Sequence, residues 1–237
     1  MVIVLLPAQF SQENEFHSGT EAPQKKRMVK RLLQRTQPKQ ERAKQTVELI
    51  LKTATELIEE VGFEAFTTKL VAERADILIR NIYRYFPNKL AIISALAERM
   101  SAKQAGFINN FSAIADPDIP WRNALATTVN AFVSAALEEP AFLSVRDAMH
   151  GSPELKTLDE QTVEDMTKSL AAAMRIRLGD FPEDMLHLMS MMVLRTSIAI
   201  LDHCMMEYYL SRDEQRLSQA IEELIKILTG YLSHYVE

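Results

Sequence analysis

The sequence predicts an all-α chain, a small N-terminal three-helix unit followed by a larger helical domain, with about nine helices and no sheet. Two patterns and one shortage carry that prediction. From Val47 onward apolar residues recur at spacings of three and four, which gathers them on one side of a helix. Pro87, Pro117, Pro120, Pro140, Pro153 and Pro182 each stand near the start of a new periodic run, where a missing amide costs little. The 237 residues include only six glycines, Gly19, Gly62, Gly106, Gly151, Gly179 and Gly230, and the closest two are 28 positions apart.

That shortage also excludes functions. Dinucleotide and Walker A loops need clustered glycines so that backbone amides can approach phosphates, and no G-x-S-x-G elbow occurs. A single cysteine, Cys204, leaves no internal disulfide, and neither C-x-x-C nor H-E-x-x-H offers a metal site, so no metal and no cofactor are expected. A reducing cytoplasm suits this composition. Val2 to Leu6 is apolar but lacks a preceding basic region and meets Pro7 too early for a signal-peptide core. The most apolar internal stretch, Met185 to Leu201, is interrupted by His187 and Arg195 and ended by Asp202, which argues against a membrane span.

Charge divides the chain. Residues 1–100 carry a net +4 and residues 101–237 a net −9. Lys25 to Lys44 holds nine cations (Lys25, Lys26, Arg27, Lys30, Arg31, Arg35, Lys39, Arg42 and Lys44) against the single anion Glu41. Such a run suits phosphate, although a solvated tail is the plainer reading of charge alone. Residues 1–40 otherwise read as a disordered, partly basic extension, within which Met28 offers a second possible start.

Residues 41–105 form the expected three-helix unit. In its first helix Val47, Leu51, Ala54, Leu57, Ile58 and Val61 make the apolar stripe, and Gly62 is a natural stop. Two helices of about two turns each follow between Phe66 and Lys89, joined at Asp76 to Leu78. Thr67 or Thr68 caps the first, and Leu70, Val71 and Ala75 give it an apolar face. In the second, Ile79, Ile82 and Phe86 point inward by spacing and leave Arg80, Asn81 and Arg84 outward. A small scaffold presenting Arg and Asn, which match guanine and adenine edges bidentately, reads as a DNA-binding helix-turn-helix.

The run Tyr83-Arg84-Tyr85-Phe86-Pro87-Asn88-Lys89, the paired Thr67-Thr68 after Gly62, and Val71-Ala72-Glu73-Arg74-Ala75 occur in an order that resembles the TetR family of bacterial transcriptional regulators, over about Arg42 to Ala97. The resemblance implies that Thr68, Tyr83, Tyr85 and Lys89 touch backbone phosphates, and that Lys69, Arg80, Asn81 and Arg84 face bases or nearby phosphates. Three positions depart from it, Asp76, Leu78 and Arg80, the last standing where a small residue is usual. Asp76 replaces the usual turn glycine and must tolerate a left-handed conformation, and Leu78 stands where a capping Ser is usual, a loss of about 1 kcal/mol. The basic segment upstream gains plausibility as an arm along a groove.

The resemblance also implies that residues 106–237 form an effector-binding and dimerisation domain. Leu186, Leu188, Met189, Met191, Met192, Val193, Leu194, Ile198, Ile200 and Leu201 surround their helix axis, so one face is available for a pocket and another for a partner. The last helix carries the stripe Leu217, Ile221, Leu224, Ile225, Leu228, Tyr231, Leu232 and Tyr235, suited to a four-helix homodimer interface. Nine of the twelve methionines lie between Met149 and Met206, and flexible thioethers suit an irregular apolar ligand, although core filling is the commoner use. Phe132, Phe142, Met149, Met189 and Met192, with His150 as a polar anchor, are the candidate pocket residues. His187 and His203, 16 positions apart, cannot share adjacent turns, so no metal or redox sensor is assigned to them or to Cys204.

The expected function is a sequence-specific regulator of double-stranded DNA, a repressor released from a palindromic operator by a small apolar or amphipathic effector. A ligand-binding or interaction module with a degenerate DNA reader is the alternative, and a helical small-molecule enzyme a further one.

Overall fold

The computed structural model describes residues 32–35, 40–108, 111–139 and 141–235, with the side chains of 101–108 left out. Most of the expected N-terminal extension, and the cations of the basic run other than Arg35, Arg42 and Lys44, lie outside the described residues. Ten helices and no strand occur among them: α1 Glu41–Ala65, α2 Thr68–Arg74, α3 Ile79–Tyr85, α4 Lys89–Ile108, α5 Ser112–Ala115, α6 Trp121–Leu137, α7 Phe142–His150, α8 Pro153–Leu178, α9 Glu183–Ser211 and α10 Glu214–Ser233. The all-helical expectation holds, and the four-residue α5 was not anticipated.

Two compact units share these residues, one of 32–100 with 141–160 and one of 101–139 with 161–235. In the first, α1 is amphipathic and buries Val47, Ile50, Leu51, Ala54, Leu57 and Ile58. Gly62 breaks the helix with φ 70° and ψ 174°, which a β-carbon would resist, and a further turn then carries Phe63 inward before Phe66 ends the element. Phe66, Ile82, Phe86, Ile92 and Ile93 complete a fully buried centre. Asn88 caps α4 by accepting the Ala91 amide at 2.9 Å.

The same unit includes α7, which packs on α1. Ala141, with φ 57°, donates its amide to Glu59 Oε1 at 2.8 Å. At the other end of α7, Gly151 lies so close to Phe63 that a β-carbon there would overlap the ring. Two fixed points therefore clasp α7 to the second half of α1.

The larger unit is centred on α10, which packs against α6 and α9. Its stripe of Leu217, Ile221, Leu224, Ile225, Leu228 and Leu232 is buried, Asp213 caps its first turn, and Arg122 on α6 pairs with Glu222. Arg177 on α8 stacks 3.9 Å over the Trp121 ring and donates to the carbonyls of Asp116 and Ile119 at 2.9 and 2.6 Å, which holds the α5–α6 connection. By length and composition α9 is apolar enough to cross a membrane, but it packs along α10 with Leu186, Met189, Val193, Leu194, Ile198, Leu201 and Met205 buried, as a core helix does.

Candidate nucleic-acid interface

The interface is built from α2, the turn after it, and α3. Thr67 is the cap of α2: its Oγ1 accepts the Leu70 amide at 3.1 Å. At the other end the Asp76 amide donates to Glu73 O at 3.3 Å and the Ile77 amide to Ala72 O at 3.1 Å. This pair of bonds closes a helix through a left-handed residue, and Asp76 takes that place with φ 50°. Leu78 then precedes α3 in an extended conformation and supplies no side-chain cap.

In α3, Ile82 and Phe86 face inward together with Tyr85. Ile79 does not, and this corrects the expectation: it lies at the edge of the buried arc and is 41% exposed. Arg80, Tyr83 and Arg84 are exposed, and Asn81 is half-buried at the margin of the reading face. Lys69 projects from α2 and pairs loosely with Glu73 at 3.6 Å, an exposed contact that contributes little. Thr68 Oγ1 and Tyr83 OH are 3.2 Å apart and form one hydroxyl cluster across α2 and α3.

Two of the residues expected at phosphates are turned elsewhere. Tyr85 is only 4% exposed, because its position on α3 aims the ring into the core, with the Arg84 guanidinium 5.7 Å from the ring centroid. Lys89 Nζ donates to Phe63 O at 2.9 Å and stands 4.2 Å over the Phe63 ring. The break at Gly62 places that carbonyl within its reach, and a cation-π contact reinforces the bond.

Arg35, grouped by its charge with the basic run, instead binds the end of α3. Its amide donates to Tyr85 O at 2.7 Å and its Nη1 to Tyr83 O at 3.2 Å, while Leu32 nearby in the chain is buried. A cation on the last carbonyls of a helix also opposes the negative end of the helix dipole, a gain of about 0.3–1 kcal/mol. No periodicity signals such a contact, because it joins residues 48 positions apart.

The six candidate pocket residues are not gathered in one unit. Phe132 and Met189 are buried in the larger unit, and Phe142 and Met149 in the smaller. Met192 is 44% exposed and falls on an outward stripe of α9 with Leu188, Arg195, Ala199, His203, Met206 and Leu210. His150 is exposed at the end of α7. A groove of about 500 Å³ does exist in the larger unit, lined by Asn130 and Leu137 of α6, Tyr208 of α9, and Leu217, Ile221 and Ile225 of α10, and none of the six candidates lines it. Cys204 is buried, and that burial, with Glu207 nearby, raises its thiol pKa and keeps it protonated.

A capped helix, a four-residue turn from Ala75 to Leu78 and a second helix with Arg80 and Arg84 outward define a DNA-binding helix-turn-helix module. Residues 50–96 match the family model "Bacterial regulatory proteins, tetR family", and residues 120–232 match "Tetracyclin repressor-like, C-terminal domain". Together these cover about two thirds of the sequence, and the chain belongs to the TetR family of transcriptional regulators. It is 30% identical over 119 residues to the tetracycline repressor protein class A from transposon 1721 of Escherichia coli, 47% of this chain and 50% of that protein. Identity to the class C tetracycline repressor of Escherichia coli is 36% over 90 residues, 38% of this chain and 39% of that protein. The chain thus spans half or less of the length of these curated relatives. A crystal structure of a TetR-family regulator from Streptomyces coelicolor shares the fold, with a TM-score of 0.56 and 24% identity over 80% of this chain and 98% of that one.

Proposed function

We propose that the chain is a transcriptional repressor that binds a palindromic operator as a homodimer and is released by a small apolar or amphipathic effector. The observation that carries the reading is the exposed face of α2 and α3: Lys69, Arg80 and Arg84 lie around the Thr68–Tyr83 hydroxyl pair, on a scaffold whose other side is the buried core. Guanidinium groups serve guanine edges, while the hydroxyls and Lys69 suit phosphate oxygens. Tyr85 and Lys89 support this face from beneath. The family's name for residues 120–232 and the named relatives, which are repressors, support the direction of regulation.

The outward face of α9, where Leu188, Met192, Ala199, Met206 and Leu210 alternate with Arg195 and His203, suits a partner's equivalent helix, with α10 beside it. Buried Phe and Met side chains support an apolar effector. The clasp of α7 on α1 supports a route for release, because a segment expected in the ligand-binding half packs on α1, in the same unit as the DNA-reading helices. An effector that favours a dimer with wrongly spaced reading helices lowers DNA affinity, and a coupling of about 1–3 kcal/mol corresponds to about 5- to 150-fold. A cytoplasmic location follows from that role, and no catalytic activity is assigned.

Selection of the purified protein on a random duplex library tests the proposal. An enriched palindrome is expected; a folded protein that enriches no sequence contradicts it.

A further inference from the structure

Large apolar side chains in the DNA-reading unit are mostly buried, but Leu78 and Ile79 are consecutive exceptions, 58% and 41% exposed, at the step from the turn into α3. Neither exposure serves the fold. Leu78 occupies a cap position without accepting an amide from the helix, and Ile79 lies beside Tyr83 one turn further on, with Arg80 and Arg84 forming the adjoining ridge. The apolar step is therefore continuous with the cationic face that DNA covers. In the major groove, guanine, adenine and cytosine offer hydrogen-bonding edges, whereas thymine adds a C5-methyl group, an apolar target for an apolar side chain.

We propose that Leu78 and Ile79 are specificity-determining residues that contact thymine C5-methyl groups in each half of the operator. The inference rests on the DNA-binding reading above and adds what part of the site reads. It also gives the missing cap a reason. A capping hydroxyl or carboxylate at position 78 would serve the helix but would not attract a methyl group, and a carboxylate would repel phosphates.

The test uses the duplex enriched by the unaltered full-length protein, with each thymine replaced singly by deoxyuridine, which lacks the methyl and keeps the pairing. At least one replacement per half-site is expected to weaken binding about fourfold, the value of one buried methyl-sized group. With Leu78→Ser combined with Ile79→Ala that sensitivity should vanish, while Arg84→Ala should retain it. Leu78→Ser alone supplies a cap, so a melting temperature equal to or above that of the unaltered protein, together with reduced methyl sensitivity, separates reading from folding. A duplex that is enriched but indifferent to every replacement, or a double variant that keeps the full sensitivity, overturns the inference and leaves the DNA-binding reading standing. Failure to enrich any duplex overturns both.

Discussion

At the scale of single residues, the turn between α2 and α3 holds two local conflicts between sequence and geometry. Asp76 sits at φ 50°, where a β-carbon is strained, and Leu78 leaves α3 without a side-chain cap. Asp76→Gly is therefore expected to raise stability by about 1 kcal/mol, and Leu78→Ser by a similar amount, in denaturant melts. A loss of stability in Asp76→Gly would show that the carboxylate has a local role beyond filling the turn. Lys89 gives a prediction opposite to the one its place in the motif suggests. Held on Phe63, it should, as Lys89→Ala, destabilise the fold by about 1–2 kcal/mol and leave the salt dependence of DNA binding nearly unchanged. Arg84→Ala, by contrast, should cost about 1–3 kcal/mol of binding, mainly on the preferred sequence. A fall in salt slope of about 0.9 for Lys89→Ala would return that residue to a phosphate. The motif over positions 83–89 could not tell which of its side chains turn outward and which turn inward. Tyr85 and Lys89 turn inward because of the α3 helical phase and the α1 break at Gly62, which only the fold combines.

Among the elements, the short-range features were legible. A cap at Thr67 or Thr68, Gly62 as a break, the buried stripe of α10 and the prolines at the starts of α6, α8 and α9 all follow from local chemistry. Features joining distant segments were not: Arg35 on the end of α3, and α7 on α1, depend on residues many turns apart. The α7 clasp is testable at its tightest point. Gly151→Ala puts a methyl into the Phe63 ring, and overpacking of this kind should destabilise the protein by about 1–3 kcal/mol, with relief when Phe63→Leu is added. If Gly151→Ala melts like the unaltered protein, the contact between α7 and Phe63 is looser than described. On α9, burial and a raised thiol pKa make Cys204 a core residue, so alkylation by iodoacetamide at neutral pH should be slow in the native state and fast after unfolding. Rapid native alkylation would reopen a redox role.

For the whole molecule, the account depends on two copies acting together. On the outward face of α9 the exposed Leu188, Met192, Met206 and Leu210 alternate with Arg195 and His203, and Met192 lies on that face. Sequence periodicity showed that this helix is apolar all round but could not assign its faces, since that depends on where α10 packs. Leu188→Glu with Met192→Glu should convert a dimer to monomers at micromolar concentration in sedimentation, with folding retained. An unaltered protein that sediments as a monomer would remove the basis for a palindromic operator. The charge asymmetry agrees with the division of labour, a positive N-terminal part for phosphates and an acidic remainder.

DNA recognition is decided by the affinity of the protein for its selected palindrome and for a shuffled duplex, measured across a series of salt concentrations. The expected result is tight binding to the palindrome, a linear fall of log affinity with log salt on both duplexes at about 0.9 per phosphate contact, and a specificity gap removed by Arg80→Ala with Arg84→Ala. Equal affinity for the two duplexes, or binding indifferent to salt, would contradict it.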